Sequence, residues 1–312
     1  MQQQINRSTR SVRSVLGGGG LGITALALTV MGPTALQAQA KKTIQNSGSD
    51  TMIELAQAWS EEYKGADVEV SGGGSGPGIA ALIDGKVEIA NASRLMTDKE
   101  LEDAKKKSGK EPKLYIVGYD ALAVYVKKDN PLEEISVEQL KDIYGEGGKI
   151  SSWSQLGVKV AGCSSDKMEL VSRQNNSGTY AYFLEHIIGK NGKFKLGTID
   201  QTGSKDVVTL VGKTPCAIGY SGMGYKTDTV KFLKVKTKDG KAILPSIEAV
   251  HNKTYPISRP LYMYTLGEAT GVVKEYVDWV RTDAGQKVLE EKGYVPLKPE
   301  ERTKADAPAK KK

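Results

Sequence analysis

Between residues 43 and 108 the chain alternates short apolar runs with segments of helical period, and glycine- and hydroxyl-rich turns make the joins. Residues 43–46 read as a strand. Ser47-Gly48-Ser49-Asp50-Thr51 then opens a helix over 52–63, where Leu55, Ala56, Trp59 and Tyr63 recur at helical spacing. Asp50 or Ser49 is the expected N-cap. Residues 68–70 form the next strand, 71–78 a glycine-rich turn, and 79–84 the next helix. Residues 87–90 lead into Asn91-Ala92-Ser93-Arg94, and Thr97 is expected to cap a charged helix over 98–108. Strand, tight turn and helix in repetition is the sequence form of a parallel sheet with helices on its faces. Ligands of such sheets bind beyond the carboxyl ends of the strands. The turns at 47–51, 71–78 and 91–94 all belong to that edge.

A second unit of the same kind begins at 169–172, a strand that runs into Arg173-Gln174-Asn175-Asn176-Ser177-Gly178-Thr179. The following segment carries Phe183, Leu184, Ile187 and Ile188 at helical spacing. A helix start leaves N–H groups unpaired and carries the positive end of the helix dipole. Two hydroxyls, a glycine and an arginine placed there make a cradle for an oxyanion. The competing reading is plainer: Ser177 only caps the helix and Arg173 is a surface charge.

Further along, Ser136 is expected to cap a helix over 137–144, and 207–211 and 272–280 also have helical period. Two long extended runs, 115–127 and 256–265, bracket the second unit. The simplest architecture makes them crossings between two lobes. The first lobe combines 43–115 with 266–300, the second is 127–257, and 116–126 with 258–265 cross between them. The expected fold is α/β, each lobe a mixed sheet flanked by helices, with a cleft between lobes. A basic tail over 301–312 is expected to be disordered.

Bulk properties narrow the function. Of the net charge of +7, three come from Arg7, Arg10 and Arg13, which no acid compensates in the first forty residues. Three Phe and three Trp give no stacking platform for bases, so nucleic acid is not an expected partner. Arg7, Arg10 and Arg13, a short apolar run over 16–31 and Ala38-Gln39-Ala40 read as an export signal over 1–40, cleaved after Ala40. The two cysteines, Cys163 and Cys216, either pair in an oxidising compartment or stay as separate buried thiols. His186 and His251 are isolated, so no metal site and no Ser/His/Asp triad is expected. The glycine-rich stretch at 72–78 lacks the Lys-Ser/Thr of a nucleotide P-loop, and no G-x-S-x-G elbow occurs. No cofactor is expected.

Several motifs in order resemble the periplasmic phosphate-binding proteins of ABC transporters. They are Ser47-Gly48-Ser49-Asp50-Thr51-Met52, Gly72-Gly73-Gly74-Ser75-Gly76-Pro77-Gly78, Ile89-Ala90-Asn91-Ala92-Ser93-Arg94, Ser172-Arg173-Gln174-Asn175-Asn176-Ser177-Gly178-Thr179 and Tyr255-Pro256-Ile257-Ser258-Arg259-Pro260-Leu261-Tyr262. The resemblance implies a two-lobed type II periplasmic binding protein, monomeric, that closes on inorganic phosphate and presents it to permease subunits in the inner membrane. It implies as ligand groups the Thr51 hydroxyl and N–H, the Met52 N–H, Ser75, Arg173, Ser177, the Gly178 N–H and Thr179. In many members the turn after the third strand carries an aspartate that accepts the proton of bound phosphate. Here that turn reads Ser93-Arg94. Either Ser93 or Asp50 takes the proton, or discrimination against sulfate is weaker; Arg94 faces the ligand or pairs elsewhere. Another oxyanion such as sulfate or molybdate, an exported phosphate-ester hydrolase using Ser177 or Ser75, and a sensing role are the alternatives.

Overall fold

The computed structural model describes residues 42–303, so the expected export signal and the last lysines of the tail lie outside the described residues. The opening alternation folds as β1 (Thr43–Gly48), α1 (Ile53–Glu62), β2 (Asp67–Ser71), α2 (Ser75–Ile83), β3 (Ile89–Ala92) and α3 (Asp98–Ser108). β1 pairs in parallel with both β2 and β3, so the three turns leave the sheet from one edge. Thr97 caps α3 as expected and does so in a capping box: its hydroxyl accepts from the Glu100 N–H, and the Glu100 carboxylate accepts from the Thr97 N–H.

The start of α1 departs from expectation. Met52 is the N-cap, and no side chain caps the helix. The Asp50 carboxylate instead accepts the Gly73 N–H at 2.8 Å, and the Ser49 hydroxyl donates to Ser93 at 2.9 Å. Both expected caps therefore tie the first turn to the other two. α2 also starts earlier than its apolar period, because Pro77 fits a first helical turn, where no N–H partner is needed. Gly74 precedes it at φ 101°, and a Cβ there would stand 2.8 Å from the Asn176 carbonyl oxygen.

Next comes β4 (Pro112–Lys127), 16 residues long. After it follow β5 (Glu134–Ser136), α4 (Val137–Tyr144), β6 (Glu169–Arg173), α5 (Gly178–Phe183), β7 (Ile199–Gln201), α6 (Ser204–Lys213) and β8 (Ala217–Gly222). The chain continues through β9 (Val230–Phe232), β10 (Lys234–Lys236), β11 (Ala242–Ile243), α7 (Ile247–His251), β12 (Ser258–Leu266), α8 (Gly271–Val280), α9 (Asp283–Glu291) and α10 (Pro299–Arg302). α5 runs on as a π-helical turn, Leu184–Ile188. The main sheet has the order β2-β1-β3-β12-β4-β8-β6-β7, with β9 also on β4, and β11-β10-β5 form a small second sheet. This is a mixed α/β fold. β4 pairs antiparallel with β12 over residues 112–121 and with β8 over 122–126, so one strand serves both halves of the sheet.

Three apolar clusters hold the helices on. Trp59, Tyr276 and Leu289 lie in one with Val171 and Val207, Tyr144, Trp153, Phe183 and Tyr220 in a second, and Ile79, Leu82 and Tyr264 in a third. Each large side chain so buried contributes about 1.5–3 kcal/mol relative to exposure. The end of the described chain is docked: Tyr119 donates to the Glu301 carboxylate at 2.9 Å and Arg281 to the Glu301 carbonyl at 3.0 Å. Residues 301–302, assigned to a disordered tail from the sequence, thus lie in α10.

Cys163 and Cys216 form a disulfide, which decides between the two readings of the cysteines. It joins the loop ahead of β6 to the residue preceding β8, across a sequence separation of 53. A closed loop of that length removes about 4 kcal/mol of unfolded-chain entropy. The double variant Cys163→Ser/Cys216→Ser is therefore expected to melt about 10 °C lower than the oxidised protein in a calorimetric scan. Reductant should lower the wild-type transition toward the same temperature and leave the variant's in place.

Candidate functional site

The carboxyl edge of β1 and β3 and the N-termini of α2 and α5 meet at a group of buried hydroxyls. Thr51 Oγ1 lies 2.6 Å from Thr179 Oγ1, which joins the turn after β1 to the first turn of α5. Ser75 Oγ, at the start of α2, lies 3.4 Å from Ser93 Oγ and accepts the Ser93 N–H at 3.1 Å. Gly178 seats against both: a Cβ there would stand 2.4 Å from Ser75 Oγ and 2.5 Å from Ser93 Oγ. No side chain larger than glycine's can bring the α5 N-terminus this near the other turns. Thr51, Ser75, Ser93, Ser177 and Thr179 are all 2% exposed or less.

Ser177 is the N-cap of α5, accepting from the Thr179 N–H at 3.1 Å and, at the limit of a hydrogen bond, from Tyr180 at 3.5 Å. The plain capping reading and the cluster therefore coexist in one residue. The Met52 N–H, expected among the ligand donors, closes a turn on the Ser49 carbonyl at 2.9 Å. The Thr51 carbonyl is held by the phenol of Tyr225 at 3.0 Å and by that of Tyr294.

Arg173 is no surface charge. It ends β6 with its side chain fully buried. Nε donates to the Gln201 carbonyl at 3.3 Å, Nη1 to Ser204 Oγ at 2.9 Å and Nη2 to the Thr202 carbonyl at 2.7 Å. Nη2 also faces Asp50 Oδ2 at 3.5 Å, across from the turn after β1. Burial pushes the guanidinium below its usual pKa, and the Asp50 charge opposes that shift. Arg94 is placed elsewhere. Its guanidinium is bidentate to Glu100, with both contacts at 2.7 Å, and also donates to the Leu95 carbonyl at 2.9 Å. The capping box of α3 sets Glu100 there, so Arg94 braces the start of that helix.

Sequence reasoning missed a second buried arginine. Arg259 on β12 stands opposite Asp120 on β4 in the strand register, and Nη2 donates to Asp120 Oδ2 at 2.9 Å. The pair is 2% and 0% exposed by side chain. Burial pushes the Asp120 carboxyl above its usual pKa, while Arg259 pulls it back. A signal existed: Asp120 and Arg259 are the lone acid and lone arginine in the extended runs 115–126 and 256–265, which are otherwise apolar or uncharged.

The site is rich in donors and poor in bases. His186 Nδ1 contacts the Tyr182 carbonyl at 3.0 Å and its ring stacks on Tyr182, while His251 Nε2 contacts the Pro296 carbonyl at 2.7 Å. Among the described residues no histidine meets a cleft hydroxyl, and no cluster of three or more metal-ligating side chains forms. Hydroxyls, two helix starts and a fixed cation suit a tetrahedral anion that accepts hydrogen bonds on every face.

Known proteins resemble this chain in sequence and in fold. A family model described as the PBP superfamily domain matches residues 33–284. The phosphate-binding protein PstS of Pseudomonas aeruginosa is 34% identical over 270 residues, covering 81% of this chain and 83% of the relative. That of Bacillus subtilis is 33% identical over 264 residues, covering 83% and 82%. Among solved structures, a Clostridium perfringens protein described as a phosphate ABC transporter substrate-binding protein with bound phosphate superposes with a TM-score of 0.73 at 29% identity. The match covers 82% of this chain and all of that one. An ABC-type phosphate transport receptor from Vibrio cholerae gives 0.64 at 25% identity, covering 81% of this chain and all of that one. A family model over most of the chain and relatives a third identical over four-fifths of it show that the chain belongs to the PBP superfamily and, within it, to the family of the phosphate-binding proteins PstS.

Proposed function

We propose that the chain is an exported solute-binding protein that captures inorganic phosphate between two lobes and delivers it to the permease of an ABC transporter. One observation carries the reading: donors from both halves of the sheet converge, with Thr51 Oγ1 2.6 Å from Thr179 Oγ1 and the buried Arg173 facing Asp50. The lobes are 43–115 with 266–300 and 127–257, hinged where β4 and β12 cross. Thr51, Ser75, Ser93, the Gly178 N–H and Thr179 donate to phosphate oxygens, and Arg173 supplies the compensating charge. Ser177 orients the start of α5. The protein acts as a monomer and does no chemistry on its ligand, since its hydroxyls have no general base beside them.

Asp50 takes the part that an aspartate in the third turn plays in many relatives. Its Oδ1 is held by the Gly73 N–H, and its Oδ2 points at Arg173. A carboxylate is acceptor-only, so it welcomes the proton of hydrogen phosphate and repels sulfate, which has none. Ser93 already accepts from Ser49, so its own proton is available as a donor.

Titration calorimetry tests each part. The mature wild-type chain is expected to bind phosphate far more tightly than sulfate; tighter sulfate binding would sink the phosphate reading. Arg173→Ala should weaken phosphate binding about 100-fold or more and Ser75→Ala about 10-fold, because charged hydrogen bonds are worth more than neutral ones. Asp50→Asn should narrow the preference for phosphate over sulfate at least about tenfold, since an amide can donate to sulfate. A phosphatase assay against the Ser177→Ala variant should find no turnover in either protein.

A further inference from the structure

Arg259 satisfies every one of its N–H donors inside the protein. Nε and one Nη2 N–H go to Asp120 Oδ2 at 3.3 and 2.9 Å. Nη1 donates to two carbonyls at 3.1 Å, that of Ser93 in the turn after β3 and that of Gly178 in the first turn of α5. The remaining Nη2 N–H meets Thr179 Oγ1 at 2.8 Å. The ring of Tyr182 lies 5.2 Å from Cζ, and burial pushes that phenol up to about 12, so it stays neutral beside the cation. The guanidinium has no donor left for a ligand, and Asp120 cancels its charge.

What it does have is a grip on both sides of the site. The Ser93 and Gly178 carbonyls belong to turns from opposite halves of the sheet, and a single planar group spans them. The contact to Thr179 has a further consequence. One lone pair of Thr179 Oγ1 is taken by a cationic N–H, and the Thr51 hydroxyl lies 2.6 Å away. A hydroxyl that accepts from a cation becomes a stronger donor, and the effect passes along a hydrogen-bonded chain. Thr179 is thereby biased to donate, and where its proton bridges to Thr51 Oγ1 the Thr51 proton is the one left to point outward.

We propose that Arg259, held by Asp120, is a positioning residue of the anion site: through Thr179 Oγ1 it polarises the Thr179–Thr51 hydroxyl pair as donors to the ligand, and through the Ser93 and Gly178 carbonyls it keeps the two jaws in register. The inference rests on the phosphate reading above. Its action through Thr179 makes it separable from a general role in stability.

The test is a double-mutant cycle read by phosphate titration of the mature chain, with thermal unfolding of the phosphate-free variants in parallel. Arg259→Gln should weaken phosphate binding about 30-fold or more in the wild-type background and no more than about 5-fold in the Thr179→Val background, a coupling of the size found for contacting residues. Arg259→Lys keeps the charge but not the fork, so its loss should fall between wild type and Arg259→Gln. Equal fold losses in the two backgrounds, or wild-type affinity for Arg259→Gln, would overturn the proposal even if the melting temperature drops. If Arg259→Gln does not fold, the same cycle with Arg259→Lys decides by the same criterion. Failure of the wild-type chain itself to bind phosphate would instead remove the functional reading on which the cycle depends.

Discussion

The structure depends on one strand changing partners. β4 is antiparallel to β12 over its first part and to β8 over its second, so the two halves of the main sheet share a backbone rather than merely touching. At that change of partner the strand carries Asp120, and β12 sets Arg259 directly opposite. Two charges in a desolvated place are tolerated only when each is fully paired, and removing one partner of such a pair typically costs about 3–5 kcal/mol. Here the pairing is complete on the arginine side, and three of its contacts reach the turns that line the site. The ion pair is thus a structural joint and a support for the donors at once.

The rest of the site follows from how a buried anion has to be accommodated. An unpaired charge taken out of water is very costly, so the protein must meet each ligand oxygen with hydrogen bonds already aimed at it. Hydroxyls serve because each can donate or accept, but that freedom needs to be resolved. The contacts around them do so: Ser49 donates to Ser93, Arg259 donates to Thr179, and the Thr51 carbonyl is held by tyrosine phenols. Arg173 and Asp50 stand as a cation and an acceptor at the same place, 3.5 Å apart. On the function proposed above, that pairing of cation and acceptor is what would distinguish ligands by their protons as well as by their charge.

Much of this was legible along the chain where the cause is local. The helix caps at Thr97 and Ser136 were readable because a cap bonds within four residues of itself. The alternation of strand and helix was readable because its periods are those of the backbone itself. The readings that changed involve partners far apart in sequence. Asp50 looked like a helix cap and instead binds Gly73. Arg94, open between facing the ligand and pairing elsewhere, is settled closer by, on Glu100 six residues along. Arg259 sat in a motif noted for its resemblance, with no role attached, because its acceptors come from residues 93, 120, 178 and 179.

By itself, then, the sequence determined the α/β class, the glycine-rich turns at the strand ends and the kinds of donor they bring. Local sterics and hydrogen bonding dictate those features. Tertiary structure alone decided which hydroxyl faces which, that Cys163 reaches Cys216, and that a neutralised arginine on the shared strand pair supports both jaws. Such choices depend on which buried polar groups find partners after the sheet has formed, and no periodicity in the chain encodes that pairing.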